Sequence, residues 1–335
     1  MTASKPIGLA LGYDPALSVR QMAAQAAQAE NAGFDSVFFS ETLFTNRDSV
    51  SAITGFAWET QRVSLGTTQV VRLRSPLVMA QTAATLDELS GGRLVLVLGA
   101  FTAKHAARNG RPLTDPVTTL REYVEAIRML LTGERITYRG EVVSLEDVGL
   151  NFTPARADIP IWIAAASRKG LLSVGQLGDG VLLDAGASPE YSANAIGLIR
   201  EGCDTVGRDF DELTIAQLIN TSVEEDEAAA VEAVRWEVAS KFRFESTPKA
   251  KLSVGEPTID RADLPGFAEA YQRGGDRELA AVIPERYVRS LTAPGTPDQV
   301  RARVQQYREA GVQLPLVRPA RQEQLPRLLE TFRSN

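Results

Sequence analysis

The feature that most constrains the fold is a strand, a helix and a second strand compressed into residues 159–186, IPIWIAAASRKGLLSVGQLGDGVLLDAG. Residues 159–164 form a short apolar run of the kind a fully buried strand carries. Ala165, Ala166, Ser167, Arg168, Lys169 and Gly170 follow, then an amphipathic stretch at 171–177 that Gly178 ends, then a second apolar run at 181–183. Two successive strands joined through a helix run parallel, since a tight turn joins only antiparallel neighbours. One such unit predicts a parallel sheet.

The same alternation recurs along the chain. Apolar runs at 7–11, 37–39, 63–68, 94–98, 159–164, 181–183, 213–220 and 314–317 are separated by helical patterns. Glycines 33, 91, 133 and 311 follow the last periodic residue of four helices, and Pro76 stands at a first helical position. Residues 134–147 alternate around Gly140 as a small surface hairpin. Residues 242–291 break the rhythm with Pro248, Pro257, Pro265 and Pro284 and short helical pieces. Eight strand–helix units in 335 residues favour a closed (β/α)8 TIM barrel over an open sheet. The expectation is one domain, residues 1–335, with a long helical insertion before the last helix–strand unit.

Bulk properties narrow the function. A formal net charge of −6 leaves no broad basic surface, which argues against nucleic acid as a partner. One cysteine, Cys203, excludes an internal disulfide framework and suits a reducing compartment. No apolar run is long enough to span a bilayer, and the run at 7–11 is too short for a signal peptide, so a cytoplasmic protein with no membrane partner is expected. A single histidine, His105, rules out a multi-histidine metal site, and no metal set is visible.

In a (β/α)8 barrel the site lies where strands end and loops begin. Topology therefore selects residues 12–14, 40–42, 68–74, 99–105, 165–169, 184–187 and Asn220 as the rim. The turn after the fifth strand is the most informative. Ser167 is placed to cap the following helix, whose free N–H groups and dipole favour an anion, and Arg168 and Lys169 add positive charge. Against this stands an ordinary capped helix with two solvated cations. Glu41 ends the second strand, where it can act as acid or base or pair with Arg47 or Arg72. Thr42 offers only a weakly acidic hydroxyl, whereas His105 in the fourth-strand loop titrates in a useful range. Arg72 and Arg74 face the mouth. Phe39 reads as core and Phe101 as pocket wall or core. Glu122 and Glu125 read as a solvated helix face.

Several stretches in this order are familiar: residues 29–48 (AENAGFDSVFFSETLFTNRD), 63–68 with Arg74-Ser75-Pro76, 83–99 (AATLDELSGGRLVLVLG), 130–140, 159–180 and 295–312 (GTPDQVRARVQQYREAGV). The chain resembles the bacterial luciferase-like oxidoreductases, and within them the coenzyme F420-dependent methylenetetrahydromethanopterin reductase branch. The resemblance implies a barrel enzyme that binds a flavin-type cofactor at the strand C-termini. Members use F420 for hydride transfer or reduced FMN for oxygen chemistry. It also implies a non-prolyl cis peptide in the third strand, here at Thr68-Gln69. Where the F420 branch closes its second strand with an acid and a histidine, this chain has Glu41 and Thr42, and Phe101 stands where a glycine is expected.

Rim and resemblance together give candidate catalytic residues Glu41, Thr42 and His105. The candidate cofactor contacts are Ser40, Glu41, Thr67, Thr68, Gln69, Gly99, Ala165, Ala166, Ser167, Arg168, Lys169, Ala185 and Gly186. The expected cofactor is coenzyme F420, with FMN as the alternative, because Arg72, Arg74, Arg168 and Lys169 concentrate positive charge at the mouth of an acidic chain. The expected reaction is hydride transfer between the deazaflavin and a C=N or C=C bond of a small-molecule substrate. The alternatives are a reduced-FMN-dependent monooxygenase and a non-catalytic flavin-binding relative. A homodimer is expected through helices 49–60 and 77–89, because Ala52, Phe56, Met79, Ala80, Ala83 and Ala84 spread apolar surface over more than one face.

Overall fold

The computed structural model describes residues 5–12, 14–41, 47–71, 73–100, 107–110 and 114–333. Four strands alternate with three helices first: β1 (Gly8–Leu11), α1 (Val19–Asn31), β2 (Ser36–Ser40), α2 (Ser49–Glu59), β3 (Ser64–Val70), α3 (Pro76–Ser90) and β4 (Leu94–Gly99). Helix α4 (Pro116–Leu131) leads into an antiparallel hairpin, β5 (Ile136–Arg139) and β6 (Ser144–Val148). The alternation resumes with β7 (Ile161–Ala165), α5 (Arg168–Leu177), β8 (Gly180–Leu183), α6 (Pro189–Val206), β9 (Thr214–Val223) and α7 (Glu227–Ser240). Three further helices follow, α8 (Ser246–Leu252), α9 (Leu264–Val282) and α10 (Glu285–Leu291). The chain closes with β10 (Ala293–Gly295), α11 (Pro297–Glu309), β11 (Leu314–Pro319) and α12 (Leu325–Thr331).

Strands β1, β2, β3, β4, β7, β8, β9 and β11 pair in parallel in that order, and β11 returns to β1. The sheet is therefore a closed eight-stranded (β/α)8 barrel, as the alternation predicts. Strand β9 is longer than its apolar run suggests, because Thr221, Ser222 and Val223 continue beyond the barrel to pair with β10. Local chemistry fixes the helix starts. Ser18 and Gln21 form a capping box on α1, Asp48 caps α2, and Ser75 caps α3 just before Pro76.

The main core lies between barrel and helices, and a second fills the barrel around Phe38, Val97, Trp162 and Leu316. A third core lies under the 242–291 segment, where Phe242, Phe267 and Tyr287 meet edge-to-face with ring centroids 5.1–5.5 Å apart. Helix α9 is bent at Gly274 and Gly275, and the latter has φ +66°.

Two expectations need correction here. Glu122 is not on a solvated face. It is buried, and its carboxylate accepts N–H bonds from Glu141, Val142 and Val143, each at 2.8 Å, which fastens the β5–β6 hairpin to α4. Gly140 permits this approach, since a Cβ there would lie 2.2 Å from the Glu122 carboxylate. The apolar residues assigned to a dimer contact are also already covered. Ala52, Phe56, Met79, Ala80, Ala83 and Ala84 are all fully buried within the single chain, because α2 and α3 pack against each other, with α1 and α4 on either side.

Candidate active site

A cavity of about 340 Å³ opens at the C-terminal end of the barrel. Ala100, Ala164, Leu182 and Leu218 give it apolar walls, and Ser40, Thr68 and Asp184 add polar groups. Ser246, Thr247 and Ala250 of α8 cover one side. Ser40, Thr68, Ala165 and Ala166 are thus brought together as the rim predicts, and Gly99 adjoins Thr68 and Ala164. Strand alternation turns Thr67 and Gln69 to the opposite face of β3.

Several buried polar atoms here have no hydrogen-bond partner among the described residues: the hydroxyls of Thr67 and Thr68 and both amide atoms of Gln69 and Asn220. Thr68 lines the cavity. Asn220 sits one alternation above Leu218 on the same face of β9, in register with Arg318. Buried polar groups are ordinarily hydrogen-bonded, so these mark places where a ligand or water completes the structure. No cis peptide bond occurs among the described residues, so Thr68-Gln69 is trans, contrary to what the resemblance implies. Its two residues stay in uninterrupted register with Val97 and Leu98 of β4.

Glu41 is held by β3 and its following turn. Its carboxylate accepts from the Val70 N–H at 2.8 Å and pairs with Arg74 at 2.5 Å, and Arg74 also reaches Asp48 at 3.3 Å. Among the described residues the partner is Arg74 and not Arg47, so one rim cation is spent on this pair. Thr42, Phe101, His105 and Arg72 lie outside the described residues.

At the turn after β7, Ser167 caps α5, accepting from the Gly170 N–H at 3.3 Å. Lys169 is exposed beside it, while Arg168 pairs with Glu201 of α6 at 3.1 Å. The Tyr191 hydroxyl donates to the Ala166 carbonyl at 3.0 Å and steadies the turn from behind.

The loop after β8 is gripped residue by residue. Asp184 binds Lys241 through both carboxylate oxygens, at 2.9 and 3.0 Å. Lys251 donates to the carbonyls of Ala185, at 2.6 Å, and Gly186. Tyr307 donates to the Ala187 carbonyl at 2.6 Å, and Glu256 accepts from the Ser188 N–H at 2.8 Å. Gly186 has φ +71°, a conformation that suits glycine. Burial would raise the Asp184 carboxyl, but Lys241, Lys251 and Arg318 outweigh it and hold the group below the usual carboxylate range. The site therefore presents an ionised carboxylate to the cavity. Burial pushes the Lys251 ammonium down to about 8, although Asp184 and Glu256 oppose the shift. Opposite, Arg318 at the end of β11 is buried against Glu237 of α7. The sequence reading included residues 184–187 in the rim but missed Lys241, Lys251, Glu256 and the Arg318–Glu237 pair. Only Glu237 and Arg318 carry a sequence signal, each a charged residue in a mostly apolar stretch.

A family model described as luciferase-like monooxygenase matches residues 4–314. The chain belongs to this luciferase-like family. It is 30% identical over 302 residues, 90% of each chain, to a 5,10-methylenetetrahydromethanopterin reductase of Methanolobus tindarius. It is 31% identical over 322 residues, 90% of this chain and 89% of the other, to an F420-dependent glucose-6-phosphate dehydrogenase of Kineococcus radiotolerans. Among solved structures, the coenzyme F420-dependent tetrahydromethanopterin reductase of Methanopyrus kandleri superimposes with a TM-score of 0.86 at 25% identity, covering 98% of this chain and 97% of that one. Within the luciferase-like barrel, the mouth cavity and the β7 turn occupy the strand C-termini, the end at which such barrels place their chemistry.

Proposed function

We propose that the protein is a coenzyme F420-dependent oxidoreductase that transfers a hydride between the deazaflavin and a C=N or C=C bond of a small-molecule substrate. The observation that carries this reading is the apolar-walled mouth cavity with the orphaned Thr68 hydroxyl in its lining, and the orphaned Asn220 amide one alternation above Leu218 of that lining. A flat heterocycle with carbonyl and N–H edges fits such a site, since its edges satisfy those atoms while its faces meet alanine and leucine. The F420-dependent glucose-6-phosphate dehydrogenase and the F420-dependent tetrahydromethanopterin reductase that the chain resembles support the choice of cofactor.

Thr68, Ser40 and the small residues Ala164, Ala165 and Ala166 would hold the ring. Ser167, the first N–H groups of α5 and Lys169 would hold the phosphate-bearing tail. Bound F420 supplies the hydride chemistry. The chain supplies geometry and solvent exclusion, which is most of what hydride transfer asks of a protein. The Asp184 carboxylate would accept a hydrogen bond from an N–H or O–H of the substrate and orient it. Glu41, tied to Val70 and Arg74, acts in this reading as a brace for the β2 and β3 ends.

We also propose that the protein is cytoplasmic and homodimeric, as one domain carrying the 134–147 hairpin and the 242–291 insertion. No helix among the described residues is long and apolar enough to cross a membrane. With the earlier residues buried, the surface that supports a dimer is Trp58 of α2, 70% exposed, and Val78 of α3, 44% exposed.

The test of cofactor choice is titration of the apo-protein with F420 and FMN, oxidised and reduced, at two salt concentrations. F420 should bind more tightly and weaken more in high salt, because its acidic tail is screenable. Tight FMN binding with no measurable F420 binding would overturn the reading and leave the reduced-FMN monooxygenase.

A further inference from the structure

The barrel interior is divided in two. Phe38 of β2 and Trp162 of β7 stack at mid-height, with centroids 5.5 Å apart and planes 28° from parallel. Glycines make room for them: a Cβ on Gly66 would lie 2.1 Å from the Phe38 ring, and one on Gly180 would lie 2.8 Å from Trp162. Above this plug lies the mouth cavity. Below it, at the N-terminal end of the strands, lies a second cavity of about 360 Å³.

Such a base layer is ordinarily filled with bulky branched side chains. Here its inward positions include Ser36, Ser64 and Thr214, small polar residues that line the space. Phe38, Trp162 and Val95 form its ceiling and wall. The Ser36 hydroxyl is buried, with the residue 2% exposed, and has no hydrogen-bond partner among the described residues. Neutralising that orphan needs one donor or acceptor from a ligand, and the ceiling needs a flat apolar face. Asp35 stands at the rim with its carboxylate accepting from the Ile7 N–H at 2.8 Å, which disfavours anions. The volume falls at the lower end of the range for small-molecule pockets and suits one or two rings.

We propose that the base of the barrel is a second binding site, distinct from the mouth, for an uncharged aromatic molecule of phenol or indole size. The ring lies against Trp162 and Phe38, and its hydroxyl or N–H meets Ser36 Oγ. The site rests on nothing in the cofactor reading, because the aromatic plug separates the two ends.

Trp162 is 5% exposed whereas Trp58 and Trp236 are 70% and 47% exposed, so Trp58→Phe with Trp236→Phe leaves one reporter in the site. Titrating that variant with 4-bromophenol should give saturable quenching. A soaked crystal should show the bromine anomalous peak in the base cavity, on the far side of the ring from Ser36 Oγ. Ser36→Ala should weaken binding by about three- to tenfold, as loss of one neutral hydrogen bond does. Ser64→Leu, at the rim, should abolish it by filling the space while leaving F420 affinity at the mouth unchanged. A bromine peak only at the C-terminal mouth, no peak, or an unchanged titration in both Ser36→Ala and Ser64→Leu would overturn the proposal.

Discussion

Lys251 should titrate near pH 8 in the folded protein and carry a measurable pH dependence of stability. The side chain is 1% exposed, reaches two backbone carbonyls, and is pushed from 10.5 to about 8, chiefly by burial. The unfolded chain therefore binds this proton more tightly than the folded one. The sign follows from linkage: the group's contribution is full above pH 10.5, falls as pH drops toward 8, and is lost below that. A shift of this size corresponds to about 3 kcal/mol across the window, or up to about 1.4 kcal/mol per pH unit. The chain has six lysines, few enough for each side-chain signal to be resolved by carbon NMR after labelling at Cε. One signal should titrate near 8 and vanish in Lys251→Met. Urea unfolding of wild type and Lys251→Met between pH 7.5 and 10.5 should show wild type gaining stability relative to the variant as pH rises. A spectrum in which every lysine titrates above about 9.5, with parallel stability curves, would refute the argument.

Removing the Glu122 carboxylate with Glu122→Ala should cost about 2–4 kcal/mol, since three N–H groups lose a charged acceptor, and should speed proteolysis in the 136–148 hairpin. Burial would raise this carboxyl, but the N–H groups of Val143, Val142 and Glu141 and the charge of Arg121 outweigh it. The wild-type hairpin should therefore keep this support above pH 4.5 and loosen as pH falls through the lowered folded value, which hydrogen exchange at 136–148 would report. Ser167→Ala with Lys169→Ala should weaken cofactor binding at least tenfold in a fluorescence titration while circular dichroism stays unchanged, because charge-assisted bonds at the α5 N-terminus contribute about 1.5–3 kcal/mol each. Light scattering at micromolar concentration should give a dimer mass that Trp58→Glu with Val78→Glu reduces to a monomer; a monomeric wild type would remove the dimer proposal.

The barrel was legible because its strands are short apolar runs buried on both faces, and its helices carry their own start and stop residues. The apolar pattern ends β9 before Thr221 and Ser222, which are polar, and the pairing with β10 explains why they continue the strand. The apolar breadth of α2 and α3 is plain in the sequence, but its cause is neighbouring helices of the same chain. Periodicity alone cannot distinguish that from a partner subunit. The burial of Glu122 is hidden for a related reason: helical spacing shows which face a residue occupies, not that a hairpin about 20 residues later folds back over it. At the mouth, strand ends were predictable from topology. The grip on residues 184–188 was not, because Lys241, Lys251 and Glu256 lie 57–68 residues away from the residues they hold.

That grip limits how this barrel can be recombined. The 242–291 segment overhangs the mouth and looks like a cassette that could be exchanged to alter what the enzyme accepts. Yet Lys251 and Glu256 lie within it, and Lys241 stands at its edge. A graft that brought in a foreign segment alone would strand the Ala185 and Gly186 carbonyls and the Ser188 N–H without partners. The two stretches, 184–188 and 241–256, must be transplanted together, as lock and key cut from one blank.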